Sequence, residues 1–361
     1  MNRTIHPDRR YLISTALVFS IAMGTSVRLA SAQAPALRFG EVVPRDVREI
    51  YDKGLQYLAT TQLETGDWKN GGEMGPGVTG LCLMVFLASG EDPNYGLYSN
   101  HVRKALRNII SGQDGKTGFY AGNHGHGSMY NHGFAMLAIA EAYGTVDDRN
   151  LWNGNEPNRR SIGQSLELAV RGAITSQKKN PVGGWRYSPD ATDADTSVSG
   201  AVLVGLLAAR NAGIEVPDEA IDRGINYYVK MTSNSGQVLY SDRMGGFDES
   251  IPRISIATLV YAVARRKDLP QFKATLGYLT QRLENTSENH YMEYGRYYQA
   301  QALFQGDVDA WEKWNKVLVR ALKQAQAADG SIVGQQGATI GTSFSCLALA
   351  LNYRFLPIYE R

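Results

Sequence analysis

A short pattern of glutamine, glycine and an aromatic residue recurs along the chain, and it constrains the fold more than any other feature. Its clearest copy runs from Gln62 to Trp68, with the sequence QLETGDW and the glycine at Gly66. Self-similarity of this kind is the sequence signature of a repeat protein. Further copies or remnants lie at Gln113 with Phe119, Gln177 with Gly184 and Trp185, Gln326 with Gly330, around Gly246, and between Gln281 and Tyr291.

Each clear copy ends a stretch that has the periodicity of an amphipathic helix. Before Gln113, apolar residues from Val102 to Ile110 fall at i, i+3, i+4, i+7 and i+8, which is one face of a helix. After each copy comes a segment that is apolar on nearly all sides, which predicts a helix buried all round. These six segments are residues 78–88, 134–143, 198–209, 254–264, 297–304 and 344–351.

Six amphipathic helices, each followed by a buried helix, predict an inner ring of six wrapped by an outer ring of six. The predicted fold is all-α, a single (α/α)6 toroid of six helical hairpin repeats. The motif is interpreted as a structural clamp, in which the amide bonds backbone groups at the helix end, the glycine takes the φ that the turn needs, and the ring covers the junction.

These residues resemble the prenyltransferase and squalene-oxidase repeat family, which includes terpene cyclases and the β subunit of protein prenyltransferases. The resemblance covers roughly residues 49–357, and Gln62 to Trp68 is its most specific match. The segments Met129 to Phe134 and Tyr353 to Tyr359 look like a bacterial exported branch of that family. The resemblance implies a terpenoid-cyclase-like α/α toroid. It implies the fold more strongly than the activity, because one fold hosts many activities.

The N-terminus has the pattern of an export signal. Arg9 and Arg10 precede an apolar run from Leu12 to Met23, and a small-x-small cleavage site ends at Ala32. The arginine pair also resembles a twin-arginine signal, and an ordinary secretory peptide explains it equally well. We therefore predict a signal over residues 1–32, a linker over 33–48, a toroid over 49–361, and a location in the periplasm, the cell envelope or outside the cell.

Composition narrows the set of partners. The full chain has 37 Lys and Arg against 35 Asp and Glu, and no basic stripe indicates nucleic-acid binding. The predicted mature chain contains no apolar run long enough to span a membrane. Cys82 and Cys346 are expected to be buried free thiols, although a disulfide between the first and last repeats is the alternative.

The residues just before and at the start of each buried helix are the ones that a toroid places around its central cavity. The chain is polar there, with aromatic side chains that carry hydroxyl tips. These positions supply the candidate ligand-binding residues: Tyr130, His132, Trp185, Tyr187, Arg253, Tyr294, Arg296 and Tyr297.

Asp193 and Asp195 are candidate catalytic residues. The segment from Asp193 to Thr196 resembles the Asp-x-Asp-Asp-Thr acid of class II terpene cyclases, in which a carboxyl group held protonated donates its proton to an alkene. Paired carboxylates can raise a pKa in this way. This chain has one aspartate fewer than that motif, and the alternative is that Asp195 or Thr196 simply caps the buried helix.

Metal binding has weak support in the sequence. His124, His126 and His132 have the chemistry of metal ligands, yet a solvated glycine-rich loop explains the first two. Neither cysteine stands in the Asp-x-Cys context of the zinc site of protein prenyltransferases, so zinc and protein prenylation are not expected. No motif for a nucleophilic serine, a phosphate-binding loop or a metalloprotease is present, and no cofactor is expected.

Three hypotheses of function remain from the sequence. The first is a cyclase-like or transferase-like toroid that binds a hydrophobic or isoprenoid-like ligand in its central cavity. The second is a non-enzymatic binding or scaffold protein of the envelope. The third is a carbohydrate-active toroid that binds a sugar-like ligand. A deep aromatic cavity favours the first, a filled centre favours the second, and a shallow polar cleft favours the third.

Overall fold

The computed structural model describes residues 43–69, 75–120, 128–152, 154, 159–284 and 291–359. Across these ranges the chain is helical and forms no strand beyond three isolated bridges, which confirms the all-α prediction. The helices are α1 (Arg45–Thr61), α2 (Pro76–Leu87), α3 (Ser99–Ser111), α4 (Ser128–Ala142), α5 (Ile162–Lys179), α6 (Thr196–Asn211), α7 (Asp218–Met231), α8 (Ile251–Val263), α9 (Pro270–Thr280), α10 (Met292–Gly306), α11 (Val308–Ala325) and α12 (Ala338–Ala350).

The even-numbered helices form a closed inner ring. Each packs against the next, from α2 through α4, α6, α8 and α10 to α12, and α12 packs against α2. Every residue of α2 is buried, whereas the outer helix α3 buries only one face, from Val102 to Ile110. The predicted toroid of six helical hairpins is therefore confirmed.

Several inner helices begin earlier than their apolar segments. α4 starts at Ser128 and α10 at Met292, each about one and a half turns before the run of apolar residues. These added turns carry polar and hydroxylated side chains such as Tyr130 and Glu293, because they face the end of the ring rather than its packed middle. A search for apolar residues alone consequently misses the first turn.

The motif glutamines join each turn to the following outer helix. Nε2 of Gln62 donates to the carbonyl oxygens of Gly66, in its own turn, and of His101, near the start of α3, at 3.0 Å each. One side chain thus ties two successive repeats together. The same double contact is made by Gln113 to Gly118 and Ser165, by Gln177 to Gly183 and Ala220, and by Gln326 to Gly330 and Ile50.

The motif tryptophans tie each turn back to its own outer helix. The indole of Trp68 donates to the carbonyl oxygen of Leu58 at 2.7 Å, and that of Trp185 donates to Ala173 at 3.0 Å. Both rings are almost completely buried. Trp185, expected both as a motif residue and as a ligand contact, therefore lies in the packed junction between helices.

The fourth turn lies earlier than the sequence pattern suggested. Its conformation occurs at residues 232–238, where Gly236 has φ of 87° and Ser233 bonds Gln237, as Leu63 bonds Asp67 in the first turn. Thr232 occupies the glutamine position, so the amide that marks other copies is missing. The expected unit around Gly246 is instead a loop that continues toward α8.

The segment after α12 packs at the opposite end of the ring from the starts of the inner helices. Leu356 and Ile358 are buried, and the short 3-10 turn Pro357–Tyr359 contacts α6. The amide nitrogen of Ile358 lies 3.3 Å from Oε2 of Glu141, near the end of α4. This end of the toroid is therefore covered by the chain itself.

Both cysteines are free and buried, as expected. Sγ of Cys82 lies 3.4 Å from Oγ of Ser343, and burial raises the pKa of the Cys82 thiol to about 12. No helix within the described residues is long and apolar enough to span a membrane. The expected signal and most of the linker, residues 1–42, lie outside the described residues.

Candidate functional site

A cavity of about 750 Å³ opens at the end of the ring where the inner helices begin. All six inner helices contribute a side chain from their first turn, because the closed ring brings those turns together. One lining residue from each, in order from α2 to α12, is Val78, Tyr130, Ser197, Arg253, Tyr294 and Ile340.

The floor of the cavity is aromatic. Phe134 and Phe344 meet edge to face with ring centroids 5.9 Å apart, and Tyr294 contacts Phe344 in the same way at 5.7 Å. Tyr130 stacks on Phe134 at 6.4 Å. Tyr297 does not line the cavity but packs against Phe344 at 5.1 Å, so it supports the floor.

The tyrosine hydroxyls at the floor are held neutral. Burial raises the pKa of Tyr130, and the negative charge of Asp195 raises it further. Burial likewise raises the pKa of Tyr294 well above its usual value, with a further contribution from Tyr130. These two residues therefore offer the cavity apolar ring surface with neutral hydroxyl tips.

The mouth of the cavity is polar and is formed largely by the loop before α8. Asp248 and Glu249 lie here, and each carboxylate pairs with an arginine. Nη2 of Arg253 donates to Oδ1 of Asp248 at 2.7 Å, which lowers the pKa of Asp248. Nε of Arg282 lies 3.2 Å from Oε1 of Glu249. The mouth thus carries two charged pairs above an aromatic floor.

A second polar group, around Arg186, borders the cavity on the side of α6. The hydroxyls of Tyr187 and Tyr240, which both line the cavity, lie 2.7 Å apart. The guanidinium carbon of Arg186 lies 5.1 Å from one ring centroid and 5.4 Å from the other, within reach of cation–π attraction. Arg186 therefore positions two cavity walls without lining the cavity itself.

Asp195 is fully buried at the start of α6 and lies outside the cavity lining. Its Oδ1 accepts a bond of 2.7 Å from the amide of Val198, which makes it the N-cap, and Oδ2 lies 3.5 Å from Nε of Arg186. Burial raises the pKa of Asp195 to about 6, opposed by the Val198 amide and by Arg186. Asp193 lies 3.6 Å from Arg186 and is partly exposed.

His132 packs between α4 and α5 rather than in the cavity. Its Nδ1 accepts from the amide of Tyr120 at 3.3 Å, and Nε2 consequently donates to the carbonyl oxygen of Ala169 at 3.1 Å. Burial lowers its pKa to about 4. The ring is thus a neutral structural group with both nitrogens bonded to backbone.

The remaining candidate residues include some that line the cavity and some that do not. Arg296 lies outside the cavity lining, and burial lowers its pKa, opposed by the charge of Glu293. His124 and His126 lie outside the described residues. Within the described ranges, no three histidine, cysteine or acidic side chains converge as a metal site would require. The structure brings together Tyr130, Tyr187, Arg253 and Tyr294.

Several cavity residues were missed by the sequence analysis. Phe134 follows Tyr130 by one helical turn, so the i, i+4 rule could have placed both on the cavity face. Phe344 was assigned only to a buried segment. Tyr240 lies in the loop after the fourth turn, which the sequence pattern placed too late in the chain. No motif near Tyr240 indicates that it lines the cavity.

Comparison with known proteins supports the fold. No family model and no curated protein sequence matches the chain. The apo structure of the type II terpene cyclase MstE from Scytonema is similar with a TM-score of 0.60 and 13% identity, covering 86% of this chain and 99% of that chain. A structure from Salmonella enterica, described as a possible member of the GH105 family, has a TM-score of 0.57 and 12% identity, covering 90% and 98%. The chain therefore has the α/α toroid fold of these two proteins, and at these identities the likeness concerns the fold alone.

Proposed function

We propose that this toroid binds a small hydrophobic, isoprenoid-like molecule in its central cavity. The observation that supports the proposal is the aromatic floor, where Tyr130, Phe134, Tyr294 and Phe344 surround an open space instead of a packed centre. Apolar surface removed from water contributes roughly 25 cal/mol per Å² to binding. Aromatic walls with a few polar groups are typical of small-molecule sites.

The similarity to MstE agrees with this ligand class. One structure of that enzyme contains geranylgeranyl dihydroxybenzoate as substrate, with a TM-score of 0.58 and 15% identity to this chain. For the present chain we propose binding without acid catalysis by Asp195. That carboxyl group caps α6 and pairs with Arg186 outside the cavity lining, so capping and ion pairing account for its position.

The proposal can be tested by calorimetric titration with farnesol. The wild-type protein should bind it, and Ile340→Trp should weaken binding because an indole would fill space at the cavity wall. Leu97→Trp is the matched control, since Leu97 is 75% exposed and outside the lining. Absence of farnesol binding, or equal loss in both variants, would overturn the proposal.

A carbohydrate ligand is the second candidate, and the polar mouth favours it. Asp248, Glu249 and Tyr240 offer hydrogen bonds and a stacking face, and the structure from Salmonella shares the fold. Titration with a tetrasaccharide such as cellotetraose separates the two candidates. Binding of the sugar with no binding of farnesol would transfer the assignment to this second function.

We also propose export, which rests on the pattern of residues 1–32. Cleavage after Ala32 would leave Gln33 as the first residue. Intact mass measurement on protein from a periplasmic fraction tests this directly. A mass that still includes residues 1–32 would contradict it.

A further inference from the structure

We infer that the cavity selects ligands with a carboxylate head group and that Arg253 binds this group. The inference deepens the proposed function and rests on it, since it concerns the polar end of the same ligand. Three features support it: the burial of Arg253, the helix ends that surround the cavity, and the exposure of Asp248, the carboxylate that pairs with Arg253.

Arg253 is a buried cation in the cavity lining. Only 10% of its side chain is exposed. A buried charge is costly unless an anion pairs with it. Guanidinium has five N–H donors in a planar fork that fits both oxygens of a carboxylate, and the bond to Asp248 uses one of them. The geometry therefore suits a planar anion.

Arg253 also stands at an unusual place on its helix. It is the third residue of α8, at the end where the helix dipole is positive and disfavours a cation. The first turns of all six inner helices line the same cavity, so their positive ends add together there. α8, α10 and α12 have no side-chain cap at this end, and uncapped first-turn N–H groups favour a negative ligand. In α2, α4 and α6, by contrast, a first-turn amide donates to Asn131, to the carbonyl oxygen of Tyr187 and to Asp195, respectively.

The present partner of Arg253 is a surface carboxylate. The side chain of Asp248 is 68% exposed and belongs to the loop that forms the mouth, beside Gly245 and Gly246. A Cβ at Gly246 would meet no atom within 4 Å, so this part of the loop has open space around it. Glu249 is paired with Arg282 and does not compete. A ligand carboxylate can take the place of Asp248, which then returns to solvent.

Three probes of one chain length test the inference: farnesol, farnesoic acid and farnesylamine, titrated calorimetrically at pH 7. The wild-type protein should bind the acid about tenfold more tightly than the alcohol, as a charge-assisted bond would give, and the amine most weakly. Asp248→Asn should increase the affinity for the acid, because it removes the competing carboxylate.

Arg253→Gln should reduce the affinity for the acid about tenfold more than the affinity for the alcohol. Arg253→Lys retains the charge and should keep part of the preference, which gives a second readout if Arg253→Gln does not fold. Arg320→Gln removes an equal charge at an exposed position on α11 and should not change the preference.

The outcomes separate this inference from the proposed function. Binding of farnesol with equal or greater affinity than farnesoic acid would overturn the carboxylate preference and leave the proposed function standing. A preference that persists in Arg253→Gln would overturn the role of Arg253. Failure of farnesol to bind would overturn the proposed function, and this inference with it.

Discussion

At the scale of single residues, Asp195 combines a helix cap with a buried charge. Its carboxylate accepts the Val198 amide, which stabilises the start of α6, yet its burial favours the protonated form. The two effects act on the same group in opposite directions. Its net contribution to folding must therefore change with pH.

The pH dependence of this contribution has a defined sign. Because the pKa of Asp195 is raised from 3.8 to about 6 in the folded protein, protonation stabilises the fold, fully below pH 4, and this stabilisation is lost as pH rises through 6. Relative to Asp195→Asn, the wild-type free energy of unfolding should rise by on the order of 2 kcal/mol between pH 7 and pH 4. Urea unfolding of both proteins over that range measures it, and a constant difference would contradict the prediction.

Proximity to a helix start predicted a cavity residue correctly where the side chain lies on the helical face toward the cavity. The prediction was wrong where the side chain lies on another face. Tyr130 and His132 are two residues apart on α4, and side chains so spaced point about 200° apart. Both therefore cannot face the cavity, and the structure places only Tyr130 there. The same argument separates Tyr294 from Arg296 on α10. A cavity residue must therefore lie near the start of an inner helix and also on the face of that helix that points to the cavity.

At the scale of elements, the glycine turns matter because two backbones approach closely there. Gly118 has φ of 82°, and a Cβ at this position would lie 2.1 Å from the carbonyl oxygen of Leu168 on α5. A side chain is therefore excluded twice, by the turn conformation and by the neighbouring helix. Gly66 and Gly330 show the same approach to the next outer helix.

Two alanine substitutions separate these two causes. Gly144 also has positive φ, 78°, but a Cβ there would meet nothing within 4 Å. Gly144→Ala should cost only the conformational strain, about 1 kcal/mol. Gly118→Ala should cost at least about 2 kcal/mol more, because α5 must move away from the turn. Thermal or urea unfolding compares the two, and equal losses would contradict the role assigned to the close approach.

The helices themselves were largely predictable, whereas their first turns and one connection were not. Apolar periodicity located every inner helix, because burial in the ring requires it. It missed the polar starts of α4 and α10, which face the cavity. The fourth turn was not recognised in the sequence because Thr232 replaces the glutamine. Gly236 preserves the geometry of this turn, but the side chain that identifies the other turns is missing.

At the scale of the whole molecule, the clamp at Gln326 closes the ring. Its amide donates to the carbonyl oxygen of Ile50, on α1, at 2.8 Å, and Lys323 pairs with Asp46 nearby. The last repeat therefore contacts the first in the same way as each of the first three repeats contacts the next. The six-hairpin toroid could be predicted from the sequence because the motif recurs, whereas the ligand could not, since the motif residues lie in the junctions between helices.

Loss of the closing clamp should affect both ends of the chain. Gln326→Ala removes two hydrogen bonds and should lower the free energy of unfolding by about 2 kcal/mol. Because the ring is closed, hydrogen exchange should accelerate in α1 as well as in α11. The exposed Gln56→Ala is the matched control and should change stability by less than about 0.5 kcal/mol. Faster exchange confined to α11 would show that the ring does not act as one unit.

The closing contact also has a consequence for synthesis. Gln326 and Ile50 are 276 residues apart, so the first repeat leaves the ribosome long before its partner exists. The hairpins can form in order as they emerge, since most of their contacts are local. The inner face of the first hairpin cannot pack against the last hairpin until the last has been synthesised. Its apolar surface is therefore exposed until then. Nascent chains halted before α11 should therefore be the species most prone to aggregate and to recruit chaperones.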